Sequence, residues 1–311
     1  MKRNYVGIDV SKDKLDFAIK DGSTKQVANS EEGINKALVW LKTEAKHNPK
    51  VVVESTSWYH WLVCLLLTEN NYDVRLINPL ITKKYQKSSI RDAKNDKIDA
   101  YRLAEIGYLE SGLAKFFDSR QELKNRRIQT LISNLEKTKQ RFQRSLRDTL
   151  KSLETIDIEV DLSAVEEALK AIELALKTCK SLIQRNANEL AKKLALTPGI
   201  SLYQASTLTI AVSGKTFTKR EKLVAFFGLD VRVRQSGRWQ GNSCLSKRGN
   251  AYYRKILFQI GWSLQRHNER FREYYDRLRA KGKHYYTAII ATARKFLNYF
   301  FKLLTEFQGA Y

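Results

Sequence analysis

Tyr5-Val-Gly-Ile-Asp-Val10, Lys14-Leu-Asp-Phe-Ala-Ile-Lys20 and Lys50-Val-Val-Val-Glu54 decide the reading of this chain. The first is a short apolar run with an acid at its C-terminal end. The second alternates with period two, setting Leu15, Phe17 and Ile19 on one face, and Asp21-Gly-Ser23 supplies a turn. The third is a buried-type strand that again ends in an acid. Around these, residues 25–28 read as an edge strand. Ser30 is a candidate N-cap for a helix with Ile34, Leu38 and Leu41 at helical spacing. Residues 58–67 read as an apolar helix, and 73–77 as a fifth strand stopped by Asn78-Pro79. The order is βββαβαβ, followed by a helix.

Three successive strands and then βαβ units predict an α/β RNase H-like N-terminal domain, not a doubly wound sheet. In that arrangement the first and fourth strands are neighbours, so Asp9 and Glu54 converge at one edge. Further on, Asp96 and Asp99 stand at i, i+3 on one helix face. Crowded carboxylates repel one another unless cations neutralise them, and oxygen-only ligands select Mg2+ or Mn2+. Any one of these acids alone reads equally well as a strand cap or a solvated side chain; four in this order favour a metal site. Asp92, one turn earlier, is a further candidate for the site, though a helix cap or solvated surface suits it better.

Residues 118–190 predict two long helices in an antiparallel coiled-coil hairpin. The second carries Leu162, Val165, Leu169, Ile172, Leu176, Cys179 and Ile183 in alternating steps of three and four. The first is looser, with Ile128, Ile132, Leu135, Phe142, Leu146 and Leu150. It is basic where the second is acidic, and residues 156–161 are the expected turn. From residue 191 the chain reads as mostly α-helical. Leu196-Thr-Pro-Gly-Ile-Ser201 before an apolar stretch resembles a helix-hairpin-helix, whose second helix would offer free amides to a phosphate. Residues 219–227, 251–264 and 284–307 read as helices, and 228–250 as an irregular basic loop.

The formal net charge is +23, and its placement is uneven. Residues 191–311 hold 23 Lys/Arg against 6 Asp/Glu, whereas 1–117 hold 19 against 15 and 118–190 hold 14 against 12. A basic C-terminal block points to a polyanion partner. No apolar run reaches the roughly 20 residues of a membrane span, so no membrane partner is expected. Met1-Lys-Arg-Asn4 runs straight into a strand pattern, which predicts no signal peptide and a cytoplasmic protein. Cys64, Cys179 and Cys244 lack CxxC spacing, and His47, His60, His267 and His284 lack paired ligand spacing, which argues against zinc.

A second constellation lies in the basic loop. Arg232, Arg234, Arg238, Lys247 and Arg248 surround Gln235-Ser-Gly237 and Leu245-Ser-Lys-Arg-Gly-Asn250. Small residues permit close backbone approach, the cations are candidates to hold phosphates, and a serine there can attack a phosphodiester if a base or metal deprotonates it. Read alone, Ser-Gly in a basic loop is equally a phosphate-binding turn.

Tyr5-Val-Gly-Ile-Asp-Val-Ser-Lys12, Val53-Glu-Ser-Thr56, Ile77-Asn-Pro79, Lys94-Asn-Asp-Lys-Ile-Asp-Ala100, Pro198-Gly-Ile200, Gly228-Leu229, Gln235-Ser-Gly237 and Leu245-Ser-Lys-Arg-Gly-Asn250 occur in one order. In that order they resemble the DEDD transposases of bacterial insertion sequences (insertion-sequence family one-ten), the group that includes the Piv-type invertases and the bridge-RNA-guided recombinases. The resemblance implies a RuvC-like catalytic domain over 1–117, a coiled coil over 118–190 and a helical transposase domain over 191–311. It implies that Asp9, Glu54, Asp96 and Asp99 bind the metal, and that Ser236 is the nucleophile forming a phosphoserine link to DNA. Ser246 is the alternative, read as a positioning or phosphate-contacting residue beside Lys247 and Arg248. Donor and target DNA, a noncoding guide RNA and a homodimer or homotetramer are the implied partners. Two departures stand out: Ser55-Thr-Ser57 replaces the usual Ala-Thr-Gly, and Arg238-Trp239 follows Ser236-Gly237 where Gly or Ser is frequent. Two other functions fit the residues: a Holliday-junction-resolvase-like nuclease that uses water as nucleophile, and a non-catalytic nucleic-acid-binding protein.

Overall fold

The computed structural model describes residues 5–45, 49–55, 57–86, 96–110, 112–116, 119–232, 235–236, 239–240 and 244–309. They form two compact units, Met1–Leu123 and Lys124–Tyr311.

The first unit is built on strands β1 (Tyr5–Val10), β2 (Lys14–Ile19), β3 (Thr24–Ala28), β4 (Lys50–Glu54), β5 (Asp73–Ile77) and β6 (Ala114–Lys115), in the sheet order β3-β2-β1-β4-β5-β6. β1, β4 and β5 run parallel; β2, β3 and β6 are antiparallel to their neighbours. Helix α1 (Glu31–Glu44) starts where Ser30 accepts a hydrogen bond from the Gly33 amide, with Glu31 and Glu32 in its first turn. It joins α2 (Trp61–Glu69) on one sheet face, where Ile34, Leu38, Leu41, Val63 and Leu67 pack on Val6, Ile8, Val51 and Val53. Two further helices follow β5, α3 (Pro79–Gln86) and α4 (Asp96–Leu109). Leu103 and Ile106 of α4 pack with Val52 and Ile77 on the opposite face. The observed order matches the expected βββαβαβ. Sequence reading missed β6, because two residues at an edge carry no period.

α5 (Arg120–Thr155) begins in the first unit and from Lys124 on belongs to the second; α6 (Ser163–Arg185) follows it, and their turn falls where residues 156–161 predict it. Their pairing is antiparallel. Lys139 of α5 meets Glu173 of α6 at 2.7 Å, the sense that the helix charges predict, whereas Lys180 of α6 meets Glu136 of α5 at 2.7 Å in the reverse sense. Burial is confined to the base of this hairpin: from 133 to 175 no side chain is buried. The remaining helices are α7 (Glu189–Ala195), α8 (Leu202–Val212), α9 (Arg220–Phe226), α10 (Ala251–His267), α11 (Glu269–Ala280) and α12 (Tyr285–Gly309). α8 is buried from Ala205 to Val212 and packs in one core with Ile256, Leu257 and Ile260 of α10 and Phe296, Leu297 and Phe300 of α12. Glu136 ties the hairpin base to this bundle, since Lys255 of α10 also donates to it at 2.8 Å. Burial opposes ionisation of Glu136, but Lys180 and Lys255 outweigh it and hold the carboxyl below the usual range.

One expectation needs correction. The segment 228–250 is not simply irregular. It carries β7 (Val231–Arg232), β8 (Gln235–Ser236), β9 (Trp239–Gln240) and β10 (Cys244–Leu245), paired antiparallel as β7 with β10 and β8 with β9. Pairs this short leave no alternation to read. The turn of the expected helix-hairpin-helix at Pro198-Gly199 is present, with Gly199 at φ 93°, and one amide at the start of α8, that of Gln204, is taken up within the chain. Ser201 Oγ accepts from the Gln204 amide while Gln204 Oε1 accepts from the Ser201 amide, forming a capping box. Among the described residues no helix is long and apolar enough to cross a membrane.

Candidate active site

Asp9 and Glu54 are the residues that follow the last paired position, Ile8 opposite Val53, on adjacent parallel strands. Both therefore stand at the same end of the sheet. Each also shares a face with the residue two before it, Gly7 and Val52, and that is the face α4 covers. The contact there is close: a Cβ on Gly7 would lie 1.9 Å from the Ala100 carbonyl oxygen and 2.5 Å from the Ala104 amide nitrogen, and one on Gly107 would lie 2.3 Å from Val52 Cγ2. Gly107 and Tyr108 lie beside Tyr5, and Ala100 beside Gly7, so α4 runs antiparallel to β1. Its first turn, with Asp96 and Asp99, thus comes to the strand end that holds Asp9 and Glu54.

The electrostatics agree with that placement. Burial pushes the Glu54 carboxyl above its usual range, and the charge of Asp99 pushes it in the same direction. The Thr82 hydroxyl and Lys83 act in the opposite sense. Thr82 Oγ1 is buried and otherwise has no hydrogen-bond partner among the described residues. Asp99 also accepts from Arg102 at 3.1 Å. Among the described residues no group of three His, Cys, Asp or Glu side chains stands close enough to hold an ion as arranged. The Asp96 side chain lies outside the described residues, as does Asp92.

Sequence reading passed over Asp16. It lies directly opposite Asp9 in the β1–β2 register, hence on the same face, and is 3% exposed. Gln26 Nε2 donates to it at 2.7 Å. The departure Ser55-Thr-Ser57 also has a structural counterpart: Ser57 adopts φ 51°, a left-handed conformation that glycine takes without strain.

In the second unit Ser236 lies on β8, its backbone opposite Trp239 of β9 in a tight antiparallel pair. Its side chain and that of Arg232, together with Arg234 and Arg238 entirely, lie outside the described residues. Ser246 is buried. Its hydroxyl donates to the Asp230 carboxylate, its amide donates to the Asp230 carbonyl at 2.9 Å, and its Oγ accepts from the Arg248 amide. Lys247 and Arg248 are exposed, with Lys247 at φ 53°. The segment is locked from behind: a Cβ on Gly249 would lie 2.5 Å from the Phe226 carbonyl oxygen.

The DEDD transposase model of insertion sequence IS110, described as Transposase, matches residues 6–152. A second, described as Transposase IS116/IS110/IS902 family, matches residues 191–276. The chain belongs to the IS110 transposase family. The first match includes all four candidate carboxylates, and the second includes both candidate serines. This IS110-family chain is also 27% identical over 158 residues to the insertion element IS110 uncharacterized 43.6 kDa protein of Streptomyces coelicolor. That similarity covers 49% of the chain and 38% of the Streptomyces protein.

Proposed function

We propose that this chain is the DNA recombinase of an insertion sequence, with an RNase H-like first unit that holds a divalent cation and a second unit that supplies a serine nucleophile. The observation that carries the reading is the meeting of Asp9, Glu54 and the first turn of α4 at one end of the sheet, in a chain that belongs to a transposase family. The residues fit a hard cation: every candidate donor is a carboxylate oxygen, and Glu54 resists ionisation because burial and Asp99 both oppose its charge. Asp9, Glu54, Asp96 and Asp99 would hold Mg2+ or Mn2+. When bound, such an ion supplies Lewis-acid polarisation of a phosphodiester and lowers the pKa of a coordinated hydroxyl.

The chain's own residues do the rest. Gln26 holds Asp16 in place beside Asp9 on the same face of the sheet. Arg102 orients Asp99. Ser236 Oγ forms a bond to phosphorus as one backbone P–O bond breaks, leaving a free hydroxyl end on the other strand fragment. Asp230 and Ser246 fix the base of the loop, and Arg232, Arg234, Arg238, Lys247 and Arg248 bind phosphates. Residues 1–117, 118–190 and 191–311 serve as catalytic, arm and transposase segments of a homodimer or homotetramer, and a noncoding guide RNA selects the DNA.

The test uses a nicked suicide substrate with the full chain and Mg2+ or Mn2+. Wild type should leave a protein–DNA adduct on denaturing gels, mapped to Ser236. Asp99→Asn and Ser236→Ala should each abolish it while retaining the wild-type melting temperature. Cleavage by Ser236→Ala with no adduct would assign the chain to the resolvase-like class, with water as nucleophile.

A further inference from the structure

We infer that the outer face of α12, flanked by the α7–α8 turn and by α11, is a track for a polynucleotide strand that leads to the Asp230–Ser246 loop. The inference rests on the nucleic-acid reading above and names the surface that carries it.

Two clefts in the second unit share Lys295 and Asn298 as a common wall. The first, about 810 Å3, is lined by Lys193, Leu196, Pro198, Arg270, Tyr299 and Lys302, among others, with no acidic residue in its lining. The second, about 680 Å3, continues past Arg294, Tyr274 and Arg220 to Val231 and Asp230, the carboxylate that receives the Ser246 hydroxyl. The path therefore ends at the loop whose strands carry Ser236.

Three features point to a phosphate chain. The exposed positions 294, 298 and 302 of α12 repeat every four residues, a line of Arg, Asn and Lys roughly 12 Å long. Most cations along it are poorly neutralised, the exception being Arg220, which pairs at 2.6 Å with Glu221 on the wall of the second cleft. Arg270 and Arg294 have no ion-pair partner among the described residues, and Lys193 and Lys302 share Glu306 at the long distances of 4.0 and 3.8 Å. Apolar and aromatic groups interleave with the charges: Leu196 is 82% exposed beside the Pro198 turn, and Tyr299 lies on the cleft wall. That alternation suits a strand that presents phosphate, sugar and base in turn. Lys295 adds a supporting sign. Burial pushes its ammonium below the usual range, Arg270 and Arg277 push it further, and its partner is the Tyr274 ring at 4.3 Å. An arriving phosphate would relieve that crowding.

The test is a binding titration of the full chain against labelled 30-nucleotide probes from about 50 to 200 mM salt. The probes are single-stranded DNA, duplex DNA and hairpin RNA, and their ranking identifies which strand uses the track. The combined variant Arg270→Gln, Arg294→Gln, Lys302→Gln removes three exposed charges from the clefts. Arg147→Gln, Lys151→Gln, Lys170→Gln removes three exposed charges from the hairpin arm and serves as comparator. With both variants matching the wild-type melting temperature, the track variant should weaken binding at least tenfold. It should also flatten the log Kd against log salt slope by roughly 2, as each lost phosphate contact removes about 0.7 to 0.9. The comparator should change the slope by less than about half of that. Equal effects of the two variants would overturn the track while leaving nucleic-acid binding standing. Failure of wild type to bind any probe would overturn the nucleic-acid reading itself. Loss of polyglutamate binding by the track variant, with polynucleotide binding unchanged, would reassign the surface to an acidic protein partner.

Discussion

Gly7→Ala tests the contact on which the candidate site depends. The methyl group would have to occupy a point 1.9 Å from the Ala100 carbonyl oxygen, 2.5 Å from the Ala104 nitrogen and 2.9 Å from Leu103 Cβ. Two of these are backbone atoms of α4 and have no rotamer to escape into. An ordinary contact is about 3.5 Å, so α4 must retreat from β1 by roughly 1 to 1.5 Å. Forced overpacking of this kind costs about 1–3 kcal/mol or more, beyond the fraction of a kcal/mol that alanine returns by restricting the unfolded chain. The retreat also carries Asp99 away from Glu54 and Asp9. A displacement of about 1 Å in a positioned site lowers the rate on the order of 100-fold. Thermal unfolding of the full chain should therefore show a lower melting temperature, and divalent-ion-dependent cleavage should fall far more than stability alone explains at a temperature where the variant stays folded. Wild-type melting and wild-type cleavage together would refute the close packing of α4 on β1.

Glu136→Ala should cost about 2–3 kcal/mol at neutral pH, since it strands two ammonium groups that are each about a third exposed and so partly screened. The Glu136 carboxyl is depressed in the folded state, so its contribution is complete above the unfolded value of about 4.3 and fades as pH falls through the lower folded value. Urea unfolding between about pH 3 and 7 should show the gap between wild type and variant closing in acid; a widening gap would contradict the assignment. Ser57→Gly should stabilise the first unit by about 1 kcal/mol in calorimetry by relieving the left-handed backbone at φ 51°. Ser246→Ala should destabilise by about 1–3 kcal/mol through loss of the bond to Asp230, yet retain the DNA adduct, which separates its role from that of Ser236.

Much of the first unit was legible because its signals are local. The alternation of Leu15, Phe17 and Ile19, the cap at Ser30 and the stop at Asn78-Pro79 each act within a few residues. The meeting of Asp9 with Glu54 followed from strand order alone. Asp16 was hidden by the same alternation that revealed its strand. Period two assigns it to the polar side, but α4 covers that side as well, and Ala18 on the same face is fully buried. Whether a sheet face meets water is a tertiary fact that no window of sequence contains. The capping box on α8 was readable, since Ser201 and Gln204 have the required spacing, yet attention to Pro198-Gly199 passed over it. The commitment of the Ser246 hydroxyl to Asp230, sixteen residues away, had no local signal at all.

The hairpin of α5 and α6 has a mechanical consequence. Its root is fastened at Ile132, Leu176 and the doubly bridged Glu136, and beyond that nothing along 133–175 is buried. From root to tip is about 23 residues of helix, or roughly 35 Å. The arm is thus a lever with a short, well-clamped fulcrum. A tilt of about 10° at the root, well within what repacking a few side chains permits, sweeps the exposed Ile156, Ile158 and Val160 at the tip through roughly 6 Å. Whatever grips that tip has mechanical advantage over the packing around Lys255 and α10.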